Sequence, residues 1–240
     1  MPFLQCSGPV HAAPSLLTPR LARNASATAS CGAGLLAIFL LLLPALAVAQ
    51  QTSTTPPAPR ADKHLLRDSL EFLGGGAAAL AMHESGHVAC DVIFDADPTV
   101  KAVHFGPIPF FAITHRPDVS PRRAVTISSA GFWVQEATSE WLLTRDPDLH
   151  RHRAAFRKGV LAFNLLASFA YAAAAFGTFG PPERDTREMA AASRTREPVV
   201  GLIVLAPAAL DAWRYLNPTG RWAKHASRIA KAGSLVLLFK

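Results

Sequence analysis

From Leu161 to Phe179 the chain reads LAFNLLASFAYAAAAFGTF, without one charged residue. A helix that is apolar all round lies either inside a large core or in lipid, and a run of this length matches the hydrocarbon thickness of a bilayer. The whole block, 158–179, therefore reads as a membrane span. A second block, 198–216, contains VVGLIVLAPAALDAW and ends in Trp213, Arg214 and Tyr215, the residue types that anchor a span at the interface. Two more apolar blocks, 69–94 and 124–143, carry ionisable residues, so each is embedded only if those groups face a bundle interior. A fifth block, 226–239, is short. Between the first two, residues 97–119 are rich in β-branched and aromatic residues with Gly and Pro, which predicts a short strand or hairpin. The expected fold is mainly α: a multi-helix membrane bundle with a short β-hairpin inserted after the first helix.

Half of the residues are apolar and 17% are charged, which excludes a disordered chain. The formal charge is +7, from 24 Lys and Arg against 17 Asp and Glu. On so apolar a chain, excess base belongs at a membrane surface. No nucleic-acid-binding pattern competes, so the expected partners are the lipid bilayer and no nucleic acid. Three cysteines cannot build a disulfide scaffold.

Residues 1–49 read as a signal peptide or N-terminal anchor. Arg20 and Arg23 precede the apolar run Leu35–Ala49, which ends in small residues, Ala47-Val48-Ala49. Residues 50–67, Thr- and Pro-rich at the start, are expected to be a flexible tether. Residues 68–240 form the membrane-embedded domain, with Asp68 and Glu71 placed as a capping box for its first helix. The expected location is a membrane reached through the N-terminal signal, the inner membrane in a bacterium. The Arg-rich loops at 144–158 and 180–197 do not fix an orientation.

The sharpest chemical feature is His83-Glu84-Ser85-Gly86-His87. A spacing of four residues puts both histidines on one helical face, about 6 Å apart along the axis. That suits two ligands of one tetrahedral zinc ion, with Glu84 beside the metal as the base for its water. Three ionisable groups within five residues of an apolar helix are costly unless paired or ligated. Cys90 lies too far along the axis, about 10.5 Å from His83, to share one centre, and reads as a small buried residue.

A third ligand has two candidates. Glu136 and Glu140 share a face of the 124–143 helix, with Gln135 and Ser139 beside them. One carboxylate there can ligate zinc while the other accepts the free N–H of a ligand histidine. Asp211, near the end of the 198–216 block, is the alternative; its simpler role is pairing with Arg214. A mid-helix carboxylate is the harder to explain otherwise, so Glu136 is preferred, with Glu140 and Gln135 as supporting residues.

These residues give the chain a resemblance to the site-2 proteases, intramembrane zinc enzymes, over about residues 70–215. Their zinc histidines and catalytic glutamate lie in a membrane helix, matched here by His83, His87 and Glu84. A β-rich loop follows, then a second helix opening with an Arg…Ala-Gly pattern, to which Arg122–Gly131 is similar. The Asn on that helix would fall at Gln135. The aspartate of the Leu-Asp-Gly motif would fall at Asp211, where Leu210-Asp211-Ala212 stands here. Glu136-x-x-x-Glu140 instead resembles the Glu-x-x-x-Asp of gluzincin-like membrane metallopeptidases. Either resemblance implies a zinc metallopeptidase cleaving a peptide bond of a membrane protein or peptide near or within the bilayer, with Glu84 as base. The alternative is a zinc-binding membrane protein that does not cut, a regulator or a degenerate protease.

Overall fold

A computed structural model describes residues 61–105 and 108–238. The assigned signal, 1–49, and tether residues 50–60 lie outside the described residues. The described elements are six helices and one hairpin: α1 Ala61–Ile93, β1 Thr99–Phe105, β2 Ile108–Thr114, α2 Pro121–Arg145, α3 Ala155–Gly177, α4 Asp185–Ser193, α5 Glu197–Leu216 and α6 Arg221–Leu238. The mainly helical fold with its small antiparallel hairpin follows the expected pattern.

Two local expectations change. Helix α1 begins at Ala61, so residues 61–67 are helical rather than tether. Arg67 and Glu71 stabilise that extra turn as an i,i+4 pair at 2.7 Å. Asp68 therefore sits inside the helix and caps nothing; its carboxylate instead takes Arg153, Nε at 3.1 Å and Nη2 at 3.0 Å. Residues 180–197, read as an Arg-rich loop, contain α4. Thr186, Met189 and Ala190 give this nine-residue helix one buried face.

The hairpin pairs Val100 with Ile113 and Ala102 with Phe111. Pro121, at the first position of α2, costs no hydrogen bond there. Thr178 closes α3 and Arg194 closes α4, both left-handed, with φ of 53° and 55°.

Helix α1 packs chiefly on α2 and α3, α5 on α3 and α6, and α4 on α2. The α1–α3 crossing is set by glycine. A side chain on Gly75 would run into the Phe156 carbonyl, and one on Gly159 into the Phe72 carbonyl. Of the Gly74-Gly75-Gly76 face, only the middle residue makes this close approach. Apolar clusters fill the remaining space: Val125, Phe132, Met189, Val200 and Val204 join α2, α4 and α5; Ala79, Leu142, Val160 and Leu161 join α1, α2 and α3.

Beside these apolar clusters the bundle buries polar side chains and exposes apolar ones. Gln135, Ser139, Asn164, Ser168, Asp211, Arg214 and Ser227 are buried, while Leu70, Leu73, Phe176, Leu202 and Ile229 are exposed. Helices α3 and α5 are long and apolar enough to cross a membrane, and only 44% and 39% of their most apolar windows are buried.

Candidate metal centre

Helix α1 places His83 and His87 one turn apart and both buried. Their Nε2 atoms lie 3.1 Å from each other. The carboxylate that joins them is Asp185, the first residue of α4; its Oδ2 is 3.3 Å from the Nε2 of His83 and 3.5 Å from that of His87. A tetrahedral zinc ion with bonds of ~2.0–2.1 Å spaces its ligand atoms about 3.3 Å apart. The three atoms already form a triangle of that size.

Three further observations fit a metal. The Nδ1 of His87 donates to the Ile127 carbonyl at 2.7 Å, which leaves the Nε2 lone pair directed at the triangle. Gly131 of α2 faces the same point: a Cβ there would lie 2.5 Å from the Nε2 of His83 and 2.6 Å from that of His87. Glycine thus keeps open the space the two nitrogens share. The third observation is chemical: two imidazoles and one carboxylate are a hydrolytic zinc donor set that leaves a fourth position for water.

Phe132 stands edge-on to His83, with ring centroids 5.5 Å apart, Tyr171 of α3 stacks on His83 at 6.2 Å, and the two aromatic rings meet each other at 5.0 Å. These rings fix the imidazole and exclude bulk water. Burial alone would raise the Asp185 carboxyl, but the charge and hydrogen bonds of His87 and His83 outweigh it and hold the group well below the usual carboxylate range. Glu84 follows His83 directly, half-buried, and feels the fields of His83, His87 and Asp185.

The residues expected to complete the site stand elsewhere. Among the described residues, Asp185 joins the histidines in the one group of three with metal-ligand spacing, and neither Glu136 nor Asp211 belongs to it. Glu136 accepts from the Ser234 hydroxyl of α6 at 3.2 Å. Asp211 meets Lys231 at 2.7 Å, Ser227 at 2.6 Å and Arg214 at 3.2 Å. Glu140, expected to orient a histidine, is instead held by Arg214 at 2.5 Å, Arg228 at 2.8 Å and Lys231 at 3.0 Å. Gln135 is buried one turn beyond Gly131 and lines a polar cavity of about 10 Å³ with Ser139, Asn164 and Ser168. Cys90 is a partly exposed free thiol.

Sequence reasoning passed over Asp185 because it sits in a run of charge, Glu183-Arg184-Asp185-Thr186-Arg187-Glu188. The signal present was the spacing of Thr186, Met189 and Ala190, which marks a short helix with one apolar face. No family model, curated protein or solved structure matches the chain.

Proposed function

We propose that this chain is a membrane-embedded zinc metallopeptidase of the HExxH type, with His83, His87 and Asp185 as zinc ligands and Glu84 as general base. The observation that carries this reading is the closed triangle of Nε2, Nε2 and Oδ2 atoms with a glutamate at the adjoining helical position. Buried polar groups under an apolar, exposed surface on α3, α5 and α6 support the membrane setting.

Zinc, if held by His83, His87 and Asp185, would supply Lewis acidity toward the scissile carbonyl and the attacking water. The chain's own residues do the rest. Glu84 takes the proton of the attacking water and hands it to the leaving amine. Ile127, through its carbonyl, keeps His87 in the tautomer that ligates. Phe132 and Tyr171 keep the site dry, which strengthens every charge interaction inside it. The substrate class is a peptide segment of a membrane protein, because the site lies among helices with apolar outer faces.

The test uses detergent-purified full chain. Wild type should hold near-stoichiometric zinc, and His87→Ala should lose most of it. Glu84→Gln should keep both zinc and fold yet cleave no membrane peptide, since an amide cannot take the proton. Equal zinc in wild type and His87→Ala sinks the site. A wild type that binds zinc and cuts nothing favours the non-peptidase regulator.

A further inference from the structure

We propose that His115 is a positioning residue of the metal centre: braced by Asp91, it fixes the rotation of α4 so that Asp185 lands between the two histidines. The inference rests on the metal-centre reading of His83, His87 and Asp185. A nine-residue helix is marginal by itself, so the position of α4 is set by what ties it down. The ties at its N-terminal end run to Glu197, which takes Arg184 at 2.7 Å and the Thr186 hydroxyl at 3.0 Å. Lys101 of β1 holds Glu183 at 2.5 Å. These fix where the helix begins, and the buried Thr186, Met189 and Ala190 turn its apolar face to α2.

The side that carries Asp185 has its own tie one turn on. Asp185 and Glu188 are three residues apart and share a side of α4. Glu188 Oε1 lies 3.0 Å from the Nε2 of His115, the residue that follows β2. The other ring nitrogen of His115, Nδ1, is 3.9 Å from Asp91 Oδ1. Asp91 is fully buried, and neither of its carboxylate oxygens has a hydrogen-bond partner. Such a carboxylate is costly unless a cation faces it, and His115 is the cationic group that the geometry offers. Asp91 also lies one turn beyond His87 on α1. Helix α1 thus presents His83, His87 and Asp91 in successive turns, and α4 presents Asp185 and Glu188 against them, with the His115 ring filling the gap between Asp91 and Glu188.

The hydrogen bond to Glu188 raises His115 above its ordinary value although burial opposes it; the charges of Glu188 and Asp91 add to the rise and His87 subtracts. The two carboxylates that face the ring thus favour its cationic form. The tie also borders a cavity of about 380 Å³ lined by His115, Arg116, Glu188 and Arg194, so water reaches its outer edge.

The experiment measures cobalt affinity and the visible cobalt spectrum of the full chain in detergent, alongside helix content by circular dichroism. His115→Leu should weaken cobalt binding roughly 10–100-fold, the range for residues that orient ligands, with altered cobalt bands and unchanged helix content. His115→Lys, which keeps a cation for Glu188, should recover much of the loss. Glu188→Gln should match His115→Leu, and the double variant should be no worse than either. If His115→Leu does not fold, Glu188→Gln alone carries the test. Affinity within twofold of wild type in Glu188→Gln, or no rescue by lysine, overturns the proposal while leaving the metal centre intact. A wild type that takes up no cobalt overturns both, and is recognised by His87→Ala behaving identically.

Discussion

Two of the polar clusters among the described residues balance their charge in opposite ways. In the cluster of α2, α5 and α6, Glu140 and Asp211 are met by Arg214, Arg228 and Lys231, with hydroxyls from Thr144 and Ser227 filling the remaining lone pairs. In the cluster of α1 and α4, Asp185 is met by two imidazoles and the Tyr171 side chain, with no arginine or lysine among the described partners, and the Nε2 atoms crowd one another at 3.1 Å. Arginine and lysine are donors without lone pairs, so the first cluster has nothing left to give a metal. Imidazole can be an acceptor, so the second has three atoms able to ligate one ion. A carboxylate in an apolar helix needs compensation; whether the cluster is a strut or a ligand set depends on what compensates it.

The largest test of this contrast is a carboxylate exchange across the two clusters. Asp185→Ala should lose most bound zinc, because it removes one of three ligand atoms. Glu136→Ala and Asp211→Ala should keep zinc at wild-type stoichiometry. Metal analysis of the three purified variants decides it. The reverse ranking, with zinc lost from Asp211→Ala and kept in Asp185→Ala, would return the site to the plan of the resembled proteases.

The same Asp211→Ala variant should lose stability instead. Arg214 and Lys231 are both buried against this carboxylate, and removing one partner of a buried ion pair costs about 3–5 kcal/mol. Unfolding in denaturant should show a clear drop relative to wild type with zinc still bound. A loss below about 1 kcal/mol, the value of an exposed pair, would mean that water reaches the network.

These outcomes also bear on what the sequence could disclose. The spacing of His83 and His87 is a local property of one helix, so both were legible, as were the charge-free α3 and the hairpin composition of 97–119. Carboxylates in apolar helices were conspicuous too, and they drew attention to Glu136, Glu140 and Asp211. The pairing of Asp211 with Arg214, three residues on, was legible and is present at 3.2 Å; the rest of the compensation comes from α6, whose Ser227, Lys231 and Ser234 lie across the bundle and cannot be assigned to a partner from periodicity alone. Asp185 was hidden for the converse reason. It lies in a charged stretch that resembles a loop, and only the packing of α4 on α2 carries it to the histidines.

A smaller effect belongs to Gly131. Adding one methyl group brings it against the imidazole atoms of both histidines, within 2.5–2.6 Å. Overpacking of that kind costs typically 1–3 kcal/mol. Gly131→Ala should therefore weaken zinc binding and stability together, since the imidazoles must rotate away from their shared point. Gly74→Ala, where nothing lies within 4 Å, is the matched control on α1 and should leave zinc binding unchanged while adding the ~0.5–1 kcal/mol that alanine gains over glycine in a helix. A Gly131→Ala protein with wild-type zinc affinity would show that the histidine nitrogens do not share one ion on that side.

The smallest expected effect is the pH dependence of the link between the hairpin and α4. The Glu188 hydrogen bond raises the His115 value above its unfolded one despite burial. A histidine raised on folding contributes stability that is fully present below the unfolded value, near 6.5, and is lost as pH climbs through the folded one. Because Glu188 is partly exposed, with a relative side-chain accessibility of 36%, solvent screening limits the contribution to at most ~1 kcal/mol. His115→Gln removes the titrating cation but keeps a polar side chain of similar reach. Wild type should be the more stable of the two below about pH 6.5, and the gap should narrow steadily in alkaline buffer. The other network supplies the control: Glu140 is paired with Arg214, Arg228 and Lys231 and with no histidine, so Glu140→Gln should show a gap from wild type that does not change with pH between about 6 and 9. A His115→Gln gap that widened on going alkaline would mean that His115 is neutral in the folded chain and that Asp91 is compensated by something other than its ring.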